Sequence, residues 1–276
     1  MPDKDFSYAA DLRFLSWSRA AGSIDSDGAY LKAVSGDKSV YYKMSAYNSA
    51  QGVYGHETIN ELLAYRVAVE FGVPVPATTL QKSLVLVDGL VFETYLAVSE
   101  SYKHARETRV SYDTFYKSVR TPGESAFSTA VRFGWEPRIY QMYFYDFLIF
   151  NRDRHGANLE VIDNNGNKRL SPLFDNGLSF AVSCHTDMEL EKFDVLADRQ
   201  VNNFIGSRSL YENLHIVPET VIAGFCKKFN TGFRDKLFYG LDKIMTSKHM
   251  DTVWELINKR LEYARRRVPS KGLGLC

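Results

Sequence analysis

The sequence has few cysteines, and their arrangement is uninformative for a cross-linked fold. Cys184, Cys226 and Cys276 form no CxxC pair, and an odd number cannot all pair with one another. We therefore expect neither a disulfide scaffold nor a cysteine-rich zinc site. The six histidines show no HExxH spacing either, so no zinc enzyme is expected.

A long apolar run is also missing. The first residues contain no apolar stretch of the kind that a signal peptide needs. The most apolar run, residues 140–150, still contains Gln141 and Asp146, and it is far shorter than the about 20 apolar residues that span a bilayer. We expect a soluble, cytoplasmic protein with no membrane partner. Secretion by a specialised system or delivery into a host is left open.

No excess of charge of either sign is present. The 34 lysines and arginines balance the 33 acidic residues to a net charge of +1. Such a chain has no global field that attracts nucleic acid, so no direct nucleic-acid contact is expected. With 276 residues, 45% of them hydrophobic, the chain is long enough to bury a large core.

The pattern along the chain changes near residue 98 and predicts an α+β protein with two lobes. Residues 1–98 form the predicted N-lobe, which is rich in strands. Residues 99–276 form the predicted C-lobe, which is rich in helices. The predicted strands are residues 13–18, 29–34, 39–44, 83–87, 90–96, 159–162 and 169–174. The predicted helices are residues 59–71, 137–150, 218–229, 233–245 and 251–267.

The segment at residues 151–158, N-R-D-R-H-G-A-N, follows the apolar helix and precedes a strand. Asp153 and Asn158 have the Asp-x-x-x-x-Asn spacing of a phosphotransferase catalytic loop. In such a loop the carboxylate accepts the proton of the attacking hydroxyl, and the amide oxygen binds Mg²⁺. The same spacing also occurs in ordinary polar turns.

A second acidic segment follows the predicted hairpin. Asp175 lies 17 residues after Asn158 and is followed by Asn176 and Gly177. A carboxylate after a short apolar strand is how kinases present the aspartate that holds Mg²⁺. The order of loop aspartate, asparagine, hairpin and second aspartate is less probable by chance than either segment alone.

The predicted N-lobe supplies a cation for nucleotide phosphates. Lys43 lies on a strand, and a lysine in this place pairs with the α- and β-phosphates. Glu61 follows 18 residues later on the predicted helix and is the first candidate to hold Lys43. Glu57, one turn earlier, is the competing candidate.

Together these segments resemble the HipA-like protein kinase family, in its compact form. Residues 151–158 match the family's N-x-D-R-H-x-x-N, and residues 172–175, P-L-F-D, match its metal-binding segment. Residues 27–32, D-G-A-Y-L-K, loosely match a phosphate loop of the form S-G-A-Q-x-K. The resemblance spans roughly residues 20–240, and Asp27 and Tyr30 depart from the loop pattern.

The resemblance implies a bilobal protein-kinase-like fold that binds ATP with Mg²⁺ or Mn²⁺ between the lobes. It assigns catalysis to four residues, Lys43, Asp153, Asn158 and Asp175, of which Asn158 and Asp175 would bind the metal. Around the nucleotide it places Gly28, Ala29, Lys32, Glu61 and His155. It places the adenine of ATP near the backbone of Tyr95 and Leu96.

The implied activity is a serine/threonine protein kinase that acts on an unknown protein and on itself. Ser23 or Ser26 in the small-residue loop would be the modified residue, and an antitoxin-like partner is compatible with the family. Two alternatives stay open. One is a small-molecule phosphotransferase of the antibiotic-kinase type, and the other is a kinase-fold binding module without turnover.

Overall fold

The computed structural model describes residues 8–19, 30–230 and 232–268. The part of the predicted phosphate loop that carries Ser23, Ser26, Gly28 and Ala29 lies outside the described residues. The mixed α+β architecture expected from the sequence is confirmed: a sheet dominates the first hundred residues, and helices dominate the rest. No helix among the described residues is long and apolar enough to cross a membrane.

The N-terminal part is a six-stranded sheet with one long helix. Its strands are β1 (Ala10–Asp11), β2 (Ser18–Arg19), β3 (Leu31–Val34), β4 (Val40–Met44), β7 (Thr78–Val87) and β8 (Leu90–Glu100). A small separate hairpin of β5 (Tyr47–Asn48) and β6 (Gly52–Val53) lies between β4 and the helix in the chain. The strand order in the sheet is β1-β7-β8-β4-β3-β2. Helix α1 (Glu57–Phe71) follows the small hairpin.

The described residues of the C-terminal part form short strands and eight further α-helices. The strands are β9 (Thr108–Ser111), β10 (Asp153–Arg154), β11 (Glu160–Asn164), β12 (Asn167–Leu170) and β13 (Asn202–Asn203). The helices are α2 (Tyr112–Val119), α3 (Ala126–Arg132), α4 (Glu136–Ile149), α5 (Asp187–Glu191), α6 (Leu210–Ile216), α7 (Glu219–Cys226), α8 (Phe233–Phe238) and α9 (Ser247–Arg266).

Turn chemistry explains the hairpin and the end of α1. Asp88 and Gly89 both have positive φ, 50° and 81°, which a two-residue hairpin turn requires. Gly72 ends α1 in the left-handed conformation, with φ 67°, and its N–H bonds back to the last turn. Both features were predicted from the sequence. The second hairpin strand, however, ends at Glu100 and not at Leu96.

Helix α1 joins the two parts of the chain. Val67, Ala68 and Phe71 are buried in the same apolar core as the C-terminal helices. The Phe71 ring lies 5.9 Å from that of Phe144 in α4, and Phe144 stacks on Phe225 of α7 at 4.4 Å. Because α1 packs on the C-terminal core, any residue on its sheet-facing side has a fixed position relative to the loops of that core.

Two further predicted elements were wrong in extent. Residues 13–18 are not one strand, because a turn at Arg13 and Phe14 separates β1 from β2. The helix predicted at 233–245 stops at Phe238, since Gly240 takes a left-handed φ of 71°. Strand β9 and helices α2 and α3 were not predicted at all.

Three histidines meet where α1, the segment before α5 and α9 come together. The ring of His56 lies 5.6 Å from that of His185 and 4.7 Å from that of His249. His249 is 4% exposed, and its Nε2 has no hydrogen-bond partner among the described residues. Burial and the two neighbouring rings lower the pKa of His249 to about 4, and burial also lowers that of His56.

This cluster predicts a loss of stability on acidification. In the unfolded chain His249 takes up a proton near pH 6.5, whereas in the folded chain it does so only near pH 4. The unfolded state therefore binds the proton more readily, and the stability present above pH 6.5 falls as the pH drops from 6.5 towards 4. For His249 alone the loss between pH 7 and pH 5 is about 2 kcal/mol. Urea unfolding at the two pH values should show it.

The variant His249→Phe should have a smaller pH dependence than the wild type, whereas His215→Gln, at an exposed histidine, should keep it. An equal pH dependence in all three proteins would contradict the prediction.

Candidate active site

The loop predicted to be catalytic begins where α4 ends. Phe150 takes the left-handed conformation, φ 53°, and turns the chain out of the helix. Asn151 then folds back, because its amide nitrogen donates to Asp146 Oδ1 at 3.0 Å and its amide oxygen accepts from the Asp153 N–H at 3.2 Å. The loop is therefore anchored on a buried helix before its first functional side chain.

A buried guanidinium fixes the rest of the loop. Arg154 is 1% exposed, and its Nε and Nη2 bind the two carboxylate oxygens of Asp146 at 3.0 and 2.8 Å. It also donates to the Phe174 carbonyl at 2.8 Å and to Asn176 Oδ1 at 2.6 Å. One side chain thus joins helix α4, the Asp153 loop and the segment that carries Asp175.

Asp153 lies at the edge of the cleft with two polar partners. Asn202 Nδ2 donates to its Oδ1 at 3.0 Å, because β13 runs parallel to β10 and pairs Asn202 with Asp153. His155 Nε2 lies 3.6 Å from its other oxygen, Oδ2. Burial raises the pKa of Asp153 above its usual range, against the opposing effects of His155 and Asn202. A raised pKa makes this carboxylate a better proton acceptor.

Asn158 presents an oxygen and not a nitrogen to the cleft. Its amide nitrogen donates to the Asp153 carbonyl at 3.0 Å, and the residue is 6% exposed. This bond leaves the amide oxygen for a ligand. The His155 ring stabilises the turn between the two residues, since its Nδ1 accepts from the Ala157 N–H at 3.1 Å.

Asp175 has a left-handed backbone, with φ 59°, which is uncommon for a residue with a side chain. Such strain persists where the surroundings impose it, and it is concentrated at functional sites. Two residues later a Cβ on Gly177 would lie 3.1 Å from the Glu57 Cβ and 3.2 Å from the Glu57 carbonyl oxygen, so any other residue would require a small shift of the first turn of α1. Asn60 completes the contact by donating to the Gly177 and Ser179 carbonyls, both at 3.0 Å.

The predicted lysine and glutamate meet. Lys43 Nζ lies 2.5 Å from Glu61 Oε1 and 3.1 Å from Asp175 Oδ1. Burial alone would lower the pKa of Lys43, but the charges of Asp175 and Glu61 outweigh it and raise the pKa. The competing candidate, Glu57, instead accepts from the Ala46 N–H at 3.1 Å. Glu61 is therefore the partner of Lys43.

A second lysine also faces Asp175. Lys32 lies opposite Lys43 across β3 and β4, and its Nζ binds Asp175 Oδ2 at 2.7 Å. Burial would raise the pKa of Asp175, but Lys43 and Lys32 together lower it below its usual range. Both carboxylate oxygens thus carry an ammonium partner.

These residues surround one cavity of about 230 Å³ between the sheet and the catalytic loop. Its lining contains Lys32, Lys43, Glu61, Asp153, His155, Asn158 and Asp175. The structure thus brings together every described site residue proposed from the sequence except Tyr95 and Leu96. Those two lie within β8, where Leu96 pairs with Met44 on one side and Gln81 on the other. Because β8 runs on to Glu100, they do not line this cavity.

Sequence reasoning missed several residues that shape the cavity. Tyr30 lines it, and its hydroxyl bonds the Glu57 carboxylate. Asn202 lies 49 residues from Asp153, and nothing in its local sequence marks it. Arg154 is part of the catalytic-loop pattern, but its burial could not be predicted from that pattern.

Comparison with known proteins agrees with this architecture. No protein-family model matches the chain, and no curated protein matches it in sequence. The structure is similar to that of the Helicobacter pylori proinflammatory kinase CtkA, with a TM-score of 0.65 and 12% identity over 94% of this chain and 98% of the other. A further similarity is to HipA of Shewanella oneidensis MR-1, solved with HipB and operator DNA, with a TM-score of 0.49 and 13% identity over 94% of this chain and 68% of the other.

The protein therefore has a bilobal, kinase-like fold. The similarity to CtkA extends over nearly the whole of both chains, so the fold that the sequence resemblance implied is confirmed.

The two lysines on Asp175 generate a prediction about metal binding. Any divalent cation that binds this carboxylate must displace an ammonium, so Mn²⁺ without nucleotide should bind weakly. Lys32→Met removes one competitor and should tighten Mn²⁺ binding by roughly threefold to tenfold, a modest gain because Lys32 is partly exposed. A titration of Mn²⁺ followed by electron paramagnetic resonance measures this affinity.

Lys103→Met, at an exposed lysine, should leave the affinity at the wild-type value, and Asp175→Ala should abolish the gain when it is combined with Lys32→Met. Unchanged or weaker Mn²⁺ binding by Lys32→Met would show that Lys32 does not compete for the site.

Proposed function

We propose that the protein is an ATP- and Mg²⁺-dependent phosphotransferase whose acceptor is a serine or threonine hydroxyl of a protein, including its own chain. The observation that carries this proposal is the convergence of Lys43, Glu61, Asp153, Asn158 and Asp175 on one cavity in a kinase-like fold. These residues come from one strand of the sheet, one helix and two separate loop segments, so their meeting is not a consequence of local sequence.

Asp153 serves as the group that orients the acceptor hydroxyl and takes its proton. Its carboxylate lines the cavity, and Asn202 and His155 hold it from two sides. The pKa, raised by burial, suits a general base better than that of an exposed aspartate. A base that is already held needs little reorganisation when a substrate arrives.

The donor set fits Mg²⁺ or Mn²⁺. Asp175 and the amide oxygen of Asn158 are oxygen ligands in one cavity, and Mg²⁺ prefers one or two protein carboxylates or amides together with phosphate oxygens and water. When bound, the ion would neutralise charge on the phosphates during transfer. Lys43 would keep its ion pair with Glu61 and exchange its contact with Asp175 for one with the phosphates. Lys32 would be a second positive charge next to the phosphates.

The self-directed activity and the partner are further parts of the proposal. A chain that transfers phosphate to serine can modify its own loop, and Ser23 and Ser26 are the residues we propose for this. An antitoxin-like partner stays a prediction from the sequence resemblance.

Replacement of the proposed base separates binding from chemistry. Asp153→Asn keeps the shape of the side chain but removes its charge and basicity. Phosphoryl transfer should fall by roughly 10²- to 10⁴-fold, while nucleotide still binds. The rate of phosphoryl transfer is measured with γ-labelled ATP and a mixed library of serine and threonine peptides. The affinity for the nucleotide is measured by calorimetry with Mg²⁺ and ATP.

Asp163→Asn is a matched control, because Asp163 lies in β11 with an ion pair to Lys168 and does not line the cavity. It should transfer phosphate at the wild-type rate. Near wild-type transfer by Asp153→Asn would show that this carboxylate only caps the loop.

A further inference from the structure

Arg152, the residue before Asp153, has a positive charge without a counter-ion among the described residues. Its backbone is fixed on both sides: its N–H donates to the Leu178 carbonyl at 3.2 Å, and its carbonyl accepts from the Asn202 N–H at 2.8 Å. Its Nε atom is buried and has no hydrogen-bond partner among the described residues. A buried, unpaired guanidinium nitrogen is costly unless a ligand completes it.

A second arginine, and no carboxylate, supplies the charge that acts on Arg152. Arg199 comes from the segment before β13, and its guanidinium lies 5.3 Å from the centre of the Phe193 ring, which helps to position it. Burial and the charge of Arg199 lower the pKa of Arg152. Cys184, in turn, interacts with both arginines. Arg152 and Arg199 thus act on each other electrostatically, and neither has an ion pair with an acidic group among the described residues, so the region carries net positive charge.

Arg152 lies beside the cavity: it directly precedes Asp153 in the chain, and its N–H bonds the carbonyl of Leu178, which lines the cavity with Asp153. Arg152 also interacts with the hydroxyl of Tyr30, and Tyr30 lines the cavity together with Asp153 and Leu178. The ammonium groups that would meet the nucleotide phosphates, Lys32 and Lys43, are already paired with Asp175 and Glu61. Arg152, in contrast, has no ion pair among the described residues, directly precedes the proposed base in the chain, and bonds through its carbonyl to Asn202, three residues after Arg199.

We propose that Arg152 and Arg199 form an anion subsite that binds an acidic side chain of the protein acceptor next to the serine or threonine that is phosphorylated. Guanidinium groups form paired, charge-assisted hydrogen bonds with carboxylates, and such bonds are stronger than neutral ones. A carboxylate in this place would satisfy the buried Nε of Arg152 and relieve the repulsion between the two arginines. This proposal rests on the proposed function, whose acceptor it specifies.

The test uses peptides with one serine between neutral residues. One set carries a single glutamate scanned through the flanking positions, a matched set carries glutamine, and a third carries phosphoserine. We measure kcat/KM for phosphoryl transfer and, separately, the binding of each labelled peptide by fluorescence anisotropy. At one position the wild type should favour glutamate over glutamine by about tenfold at low salt, and the preference should shrink as salt screens the charges.

Variants connect the preference to the two arginines. Arg199→Gln should reduce the glutamate-to-glutamine ratio by roughly threefold, since Arg199 is exposed, and Arg152→Gln should reduce it further. Arg266→Gln, on the exposed side of α9, should keep the wild-type ratio. Because Arg199 is exposed, its variant also tests the proposal if Arg152→Gln fails to fold.

The outcomes separate this proposal from the function on which it rests. Equal transfer to glutamate and glutamine peptides, or a glutamate-to-glutamine ratio in Arg199→Gln that equals the wild-type ratio, would overturn the anion subsite and leave the kinase activity intact. A preference for phosphoserine alone would overturn a carboxylate as the ligand. Arginine-dependent binding of glutamate peptides without any phosphoryl transfer would support the subsite and overturn the proposed function.

Discussion

The buried Arg154 guanidinium is the interaction on which the candidate site depends. A buried charge is tolerated only when it is neutralised and its donors are satisfied, and removal of one partner is far more costly than the pair is stabilising. Arg154 meets these conditions with Asp146, Asn176 and the Phe174 carbonyl. Because its partners lie on α4 and on the segment before Asp175, the same requirement sets the distance between the proposed base and the proposed metal ligand.

A second constraint brings the sheet to this framework. Helix α1 carries Glu61 and packs through Phe71 on the C-terminal core, while Gly177 and Asn60 hold its first turn against the segment after Asp175. Lys43 reaches from β4 to both Glu61 and Asp175 and so spans the two parts of the chain. The cavity thus lies between elements whose relative positions these contacts fix, which favours a defined position for a ligand between them.

Local chemistry determines how much of this could be predicted from the sequence. The end of α1 at Gly72 and the hairpin at Asp88 and Gly89 follow from residues that tolerate positive φ, and they were predicted. The pairing of Lys43 with Glu61 follows from the strand-to-helix order and is present in the structure. The end of β8 was missed because nothing at Leu96 stops a strand, and its pairing with β4 continues to Glu100.

Residues whose role depends on distant contacts could not be predicted. Asn202 reaches Asp153 only because β13 pairs with β10, and Arg260 is buried although it lies in a basic stretch of α9. Its guanidinium stacks 4.2 Å from the Phe150 ring centre and donates to the Val195 and Ala197 carbonyls. Burial lowers the pKa of Arg260 to about 10. Sequence alone shows such an arginine as an ordinary surface cation.

The most direct test of the central claim is the intact mass of the protein after incubation with ATP and Mg²⁺. The account predicts that the wild-type chain gains the mass of at least one phosphate on serine or threonine, and that Asp153→Asn gains none in the same time. A wild-type chain that binds Mg²⁺ and ATP, yet transfers phosphate neither to itself nor to a serine and threonine peptide library, would contradict it.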